Sequence, residues 1–224
     1  MKPDFWIERW QENRIGFHRD EVNPNLIATL GALNLEPGDR VFLPLCGKSL
    51  DITWLADQGF EVIGVEISPL AVEQLFAIQG LRPSVCRVGN VVQYSTDNLR
   101  IYCGDVFDLA PGDLGNIAAV YDRAALIALP ENMRRDYVDR IRYLAPSART
   151  LLVTLDYPQH EMTGPPFAVS DEEVQALYGS EYAIKRLIRT DALDAEPGFR
   201  AQGLSALVES VYLLQPGNLM GIES

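Results

Sequence analysis

Apolar and polar residues follow two different periods along this chain, and the switches between them mark out its elements. From Arg40 to Leu45 (RVFLPL) the residues are almost continuously apolar and follow a Pro37-Gly38-Asp39 turn. A short unbroken run of that kind predicts a strand covered on both faces. Ser49 then stands as an N-cap, and Leu50, Ile52, Trp54, Leu55 and Ala56 give an apolar helical side that ends before Gly59. Glu61 to Glu66 (EVIGVE) predicts a second buried strand. Ser68 and Pro69 open another helix, as its cap and its first-turn proline, carrying on towards Gln79.

Strand, turn, helix, strand, helix is the opening of a doubly wound parallel sheet. Leu99 to Cys103 (LRIYC), Ile117 to Tyr121 (IAAVY) and Leu151 to Leu155 (LLVTL) predict further strands. Glu131 to Leu144 predicts a long amphipathic helix, and Ser170-Asp171 caps another that runs to Tyr178. Residues 182–193 and 204–214 show β-rich alternation without a helix signal between them, which predicts two antiparallel edge strands. Residues 80–98 form a polar, irregular insertion that reads as a hairpin or a loop. The expected fold is α/β, a doubly wound and mostly parallel seven-stranded sheet.

Composition narrows the class. The 224 residues are 47% hydrophobic and 22% charged, with no repeat or linker, so one domain over 1–224 is expected: an N-terminal helical segment over 1–35 and a sheet core over 36–224. The formal charge of −12 is spread along the chain and repels phosphate backbones and anionic lipid. A small molecule is the expected partner, with no nucleic acid and no membrane. The front, MKPDFWIERWQENR, interleaves aromatic residues with charges and does not read as a signal peptide, so a cytoplasmic location is expected. Cys46, Cys86 and Cys103 are odd in number and far apart; they read as reduced, mostly buried thiols, with no metal site. No coiled-coil heptad or bare apolar helix demands a second copy, which favours a monomer.

The candidate chemistry lies between Phe42 and Ser68. Gly47-Lys48-Ser49 looks like the tail of a phosphate loop, but the position that needs the first glycine holds Phe42, inside the strand. Cys46 stands where a helix N-terminus lowers a thiol pKa, yet only His18 and His160 could serve it as a base. A crevice at the carboxyl ends of the strands fits better. Gly47 in the first turn lets a ligand approach the backbone, and Glu66 at the end of the second strand suits ribose hydroxyls. The lone glycine fails G-x-G-x-x-G, which counts against a nicotinamide oxidoreductase and favours a nucleoside without pyrophosphate, with S-adenosylmethionine as the first candidate. Trp6, Trp10 and Phe17 could form a lid over such a cleft, or simply pack the first helix, as Trp6 is expected to do. Arg123 follows Asp122 at the end of a strand, where the crevice lies.

Five stretches in order, WIERWQENRIGFH, PLCGKSLDITWLADQGFEVIGVEIS, LRIYCGDVFDL, VYDRAALIAL and TGPPFAVS, closely resemble the thiopurine S-methyltransferase family, and the front resembles its compact bacterial members. The resemblance implies a class I S-adenosylmethionine-dependent methyltransferase acting on small aromatic or heterocyclic thiols (thiopurines), and in bacterial members selenium or tellurium detoxification. It places the cofactor against Trp10, Phe17, Leu45, Gly47, Glu66, Asp105, Val106 and Arg123, and the substrate against Phe17, Arg123 and Phe167. Asp105-Val106 departs from the serine and isoleucine common in the family. A sulfur or selenium nucleophile needs little base help, so no essential catalytic residue is expected; Arg123 would position the substrate, and His18 is read as structural. A catalytically inactive nucleoside-binding scaffold is the non-enzyme alternative.

Overall fold

The computed structural model describes residues 3–217. Its elements run α1 (Pro3–Gln11), α2 (Pro24–Thr29), β1 (Arg40–Leu43), α3 (Leu50–Asp57), β2 (Glu61–Glu66), α4 (Pro69–Ile78), β3 (Ser84–Val88), β4 (Val91–Ser95), β5 (Leu99–Cys103), α5 (Pro111–Leu114), β6 (Ala119–Arg123), α6 (Glu131–Leu144), β7 (Arg149–Asp156), α7 (Asp171–Tyr178), β8 (Tyr182–Asp191), α8 (Pro197–Ala201) and β9 (Val208–Pro216), with short 3-10 turns between them. The caps expected from sequence form through side chains. Ser49, Ser68 and Ser170 accept the amides of Asp51, Ala71 and Glu173 at 3.2, 3.3 and 3.3 Å. Each satisfies a donor that the first helical turn leaves orphaned.

All strands join one sheet in the order β3-β4-β5-β2-β1-β6-β7-β9-β8. The five central strands are parallel. Both faces are buried, as their unbroken apolar runs require: one under α6 and α7, around Phe42, Tyr102, Tyr137 and Val174; the other under α2, α3 and α4, around Leu26, Ile52, Leu55 and Leu75. The chain leaves β1 towards β2 and β5, then crosses back to β6 and β7. The order therefore reverses at β1, and the ligand crevice of such a sheet opens at the carboxyl ends of the strands there.

The structure corrects the expected sheet in three ways. The polar insertion is an antiparallel hairpin, β3 and β4, that extends the seven strands to nine by pairing with β5. Of the two C-terminal strands only β8 is an edge; β9 lies between β7 and β8, antiparallel to both. The five-residue helix α8 separates them, opened by Pro197 at its first turn, where the apolar pattern carried no signal. The cysteines also divide: Cys46 is buried, Cys103 half-buried, and Cys86 exposed on the outer hairpin strand.

Candidate active site

The crevice is a cavity of about 740 Å³, walled by the strand ends, by α1 with the segment behind it, and by segments from 162–166 and 192–202. Its first wall is the turn after β1. Leu45 and Gly47 both adopt left-handed backbone, at φ 49° and 54°. Such backbone is cheap for glycine and strained for leucine. The Cys46 amide ties the turn to β2 through the Val65 carbonyl at 2.9 Å. A Cβ on Gly47 would stand 3.0 Å from the Trp10 ring, so the missing side chain is what lets the roof helix close onto the turn.

Glu66 is the hub. Its Oε2 accepts the Gly47 amide at 2.9 Å and its Oε1 accepts the Ser68 amide at 2.8 Å. Each oxygen keeps a second lone pair. Burial raises its pKa to about 7 against the opposing pull of those backbone donors. A carboxylate already occupying the loop's amide is the opposite of what a phosphate loop needs. The Cys46 thiol is pushed well above its ordinary range, by burial first and the nearby Glu66 second, so it is held as an inert thiol.

The roof is aromatic. Trp10 is buried, and the Phe17 ring meets Trp10 and Trp6 edge-on at centroid distances of 5.5 and 5.6 Å. All three line the cavity. Trp10 stands in the cavity wall as expected and is deeply packed, while Trp6, expected only to pack the helix, also faces the cavity. Across from them, Asp105 accepts the Phe107 amide at 3.0 Å and so shapes the turn after β5, with Val106 buried behind it.

Arg123 ends β6, and Ala124 turns the chain at φ 63°. The turn is held by Asp122, whose Oδ1 accepts the Leu126 amide at 3.1 Å and whose Oδ2 accepts the Tyr137 hydroxyl at 2.7 Å. Burial raises Asp122 to about 6. The Arg123 guanidinium makes no hydrogen bond or ion pair among the described residues, which leaves it available to a ligand. His18, also in the wall, is pushed below its ordinary pKa by burial and then by Lys48, so it is neutral at pH 7.

Trp10, Phe17, Leu45, Gly47, Glu66, Asp105, Val106 and Arg123 are brought together in this one cavity. Phe167 is not. Its amide donates to the Ile127 carbonyl at 2.7 Å and its ring packs against Gly164, so Gly164, Pro165 and Pro166 form the wall in front of it. Sequence reasoning missed Asp51, Tyr121 and Glu209, which also line the cavity. Asp51 reads as an ordinary first-turn acid and Tyr121 as strand core; only their lone polar atoms in an apolar setting distinguish them. Among the described residues there is no group of three metal-ligating side chains.

A mostly parallel sheet reversing at β1, a glycine turn and a buried acid at the next strand end are the arrangement of a class I S-adenosylmethionine-dependent methyltransferase fold. Solved structures agree. A S-adenosylmethionine-dependent methyltransferase from Anabaena variabilis superposes with a TM-score of 0.62 at 13% identity, over 96% of this chain and 94% of that one. A Geobacter sulfurreducens methyltransferase in complex with S-adenosylhomocysteine gives 0.59 at 19% identity, over 94% and 98%. Residues 1–217 match the family described as Thiopurine S-methyltransferase (TPMT). The thiopurine S-methyltransferase of Nitrosospira multiformis is 48% identical over 215 residues, 96% of this chain and 98% of its own length. That of Xanthomonas campestris pv. campestris is 49% identical over 218 residues, 96% and 99%. The chain belongs to the thiopurine S-methyltransferase family.

Proposed function

We propose that this chain transfers the methyl group of S-adenosylmethionine to the sulfur of a small aromatic or heterocyclic thiol, thiopurines among them. The observation that carries the reading is Glu66: a buried carboxylate, fixed by two backbone amides, at the end of β2 in a cavity roofed by aromatic rings. The donor set fits the cofactor. The lone pairs left on Glu66 suit two vicinal ribose hydroxyls, and Gly47 allows close approach to the turn. Asp105 and Val106 stand where an adenine would lie.

When bound, the cofactor supplies an electrophilic methyl on a sulfonium, and what the protein must add is approach, alignment and dryness. Trp6, Trp10 and Phe17 exclude water from above. Arg123, unpaired in the wall, draws an anionic acceptor to the carboxyl end of β6. A thiol of ordinary pKa, ~8.5, is already partly ionised at neutral pH and aryl thiols are more so, so the reading assigns no general base. A selenol, more acidic still, would be accepted by the same site.

The test is transfer of labelled methyl from S-adenosylmethionine to a panel of an aryl thiol, the matching phenol and the matching aniline. Transfer to the thiol alone is the expected result; transfer to oxygen or nitrogen instead, or none to any, would overturn the reading. His18→Ala should leave kcat for an acidic aryl thiol within about threefold of wild type, because positioned proton transfer is worth roughly 100-fold or more.

A further inference from the structure

Glu209, on β9, has no role in the site described so far. It lines the cavity, and among the described residues no ion pair neutralises it. Its Oε2 accepts the Asn25 side-chain amide at 2.5 Å, which ties the start of α2 to the sheet; among the described residues its Oε1 has no hydrogen bond. The nearby Glu196, by contrast, is joined to Arg19. Burial raises the pKa of Glu209, and Arg123 is the chief opposing influence. A partly buried carboxylate with one oxygen unsatisfied at a ligand site calls for a reason.

The sheet register sets Glu209 with Arg123. Arg123 on β6 pairs with Val153 on β7, which pairs in turn with Val211 on β9. Glu209 is two residues from Val211, so it projects from the same face as Arg123. It lies level with Leu155, two residues nearer the carboxyl end of β7, on the crevice side. Two strand spacings separate the backbones of Arg123 and Glu209, roughly 10 Å. Both side chains are long and line the same cavity, yet no ion pair joins them among the described residues. Leu155, Met162 and Phe199, which belong to one apolar cluster, add apolar wall beside Glu209. The result is a gap with a cationic donor on one side and an anionic acceptor on the other.

A guanidinium donates and cannot accept; an ionised carboxylate does the reverse. A ligand that satisfies both carries negative charge at one edge and an N–H at the neighbouring edge of an apolar ring. The anion of a heterocyclic thiol that keeps one ring N–H beside the sulfur-bearing carbon is such a molecule. The anion of a benzene thiol has the charge but no N–H. We infer that Glu209 is a specificity-determining residue for the methyl acceptor, taking the ring N–H while Arg123 takes the thiolate charge. The site therefore prefers N–H heterocycles to plain aryl thiols and turns away thiols that carry a carboxylate. This rests on the acceptor reading above. A site built to hydrogen-bond a substrate N–H rejects the analogue lacking it, because its own polar group is left unpaired. A second carboxylate beside Glu209 meets like charge.

The test is kcat/KM for methyl transfer by wild type, Glu209→Gln and Glu209→Asp to a set of thiols. Mercaptobenzimidazole gives an anion that keeps a ring N–H, and its N-methyl derivative gives one that has none. Thiophenol has no ring nitrogen, and thiosalicylate adds a carboxylate. Glutamine keeps an oxygen for Asn25 and turns an amide group into the cavity in place of the charge. Glu209→Gln is expected to lose about ten- to 100-fold on mercaptobenzimidazole, to stay within about threefold on the N-methyl compound and thiophenol, and to gain on thiosalicylate. Glu209→Asp, which withdraws the carboxylate by one methylene, shows the same loss with a smaller gain. Equal losses on every thiol, or none on any, overturn the proposal: the first would make Glu209 a structural brace for α2, the second an idle group. Failure of the wild type to methylate any of these thiols would instead refute the acceptor reading, and this with it. Thermal melts of the ligand-free variants confirm folding, and Glu209→Asp decides the matter should Glu209→Gln not fold.

Discussion

Glu66 carries two jobs that a single residue can combine only because it is buried. It ties the Gly47 turn to the start of α4, and it presents lone pairs to the cavity. Glu66→Ala should weaken S-adenosylhomocysteine binding by roughly 100-fold, since charge-assisted hydrogen bonds in such a setting are worth about 1.5–3 kcal/mol each, and calorimetry reads this directly. Its titration gives a second expectation. Burial raises the ligand-free carboxyl to about 7, and ribose hydroxyls that donate to it favour the ionised form. Binding therefore releases a proton near neutrality. Affinity should hold above pH 7 and fall as pH drops below it, by at most ~tenfold per unit, and Glu66→Ala should flatten that profile.

At the scale of elements, the β1 turn is braced from beneath by a glycine. A Cβ on Gly64, in the middle of β2, would stand 2.7 Å from both Cys46 Sγ and Ile101 Cδ1. Gly64→Ala should cost about 1–3 kcal/mol in urea unfolding, the ordinary penalty for overfilling a core, and should lower cofactor affinity by shifting Cys46 and with it the Leu45–Gly47 wall. Elements of this kind were largely legible in the sequence. EVIGVE and LRIYC form strands over the expected residues, and α6 spans Glu131–Leu144, because continuous apolar runs and a 3.6-residue stripe are local signals. The β3–β4 segment reads only as a hairpin or a loop, and its pairing onto β5 is not legible. Its outer strand is mostly solvent-facing, so no apolar face marks it. The insertion of β9 between β7 and β8 was hidden for another reason: pairing order depends on contacts between residues far apart, which local pattern does not encode. In the site, Glu66 and Gly47 were legible from their spacing, whereas Asp51 and Tyr121 needed three dimensions to become neighbours, and Phe167 fell behind the loop that precedes it.

The whole molecule carries the energetic consequence of burying Glu66 and Asp122. Both have folded pKa values above their ordinary ones, about 7 and about 6. A group raised in this way contributes its full stability below the unfolded-state pKa and loses it as pH rises through the folded value. Between about pH 4.5 and pH 7 the ligand-free protein should thus lose stability relative to a Glu66→Gln variant, as measured by urea midpoints at fixed ionic strength. Saturating S-adenosylhomocysteine should reduce that loss, because it favours the ionised form. A wild-type curve that rose relative to Glu66→Gln over the same window would contradict the assignment.

The aromatic roof also makes the molecule its own instrument. The chain has three tryptophans, and two of them, Trp6 and Trp10, stand in the cavity wall, while Trp54 lies away from it, packed against the core beneath α3. Replacing Trp54 by phenylalanine would leave every indole emitter beside the ligand. Occupancy could then be followed by intrinsic fluorescence in real time, without a label, a coupled enzyme or turnover.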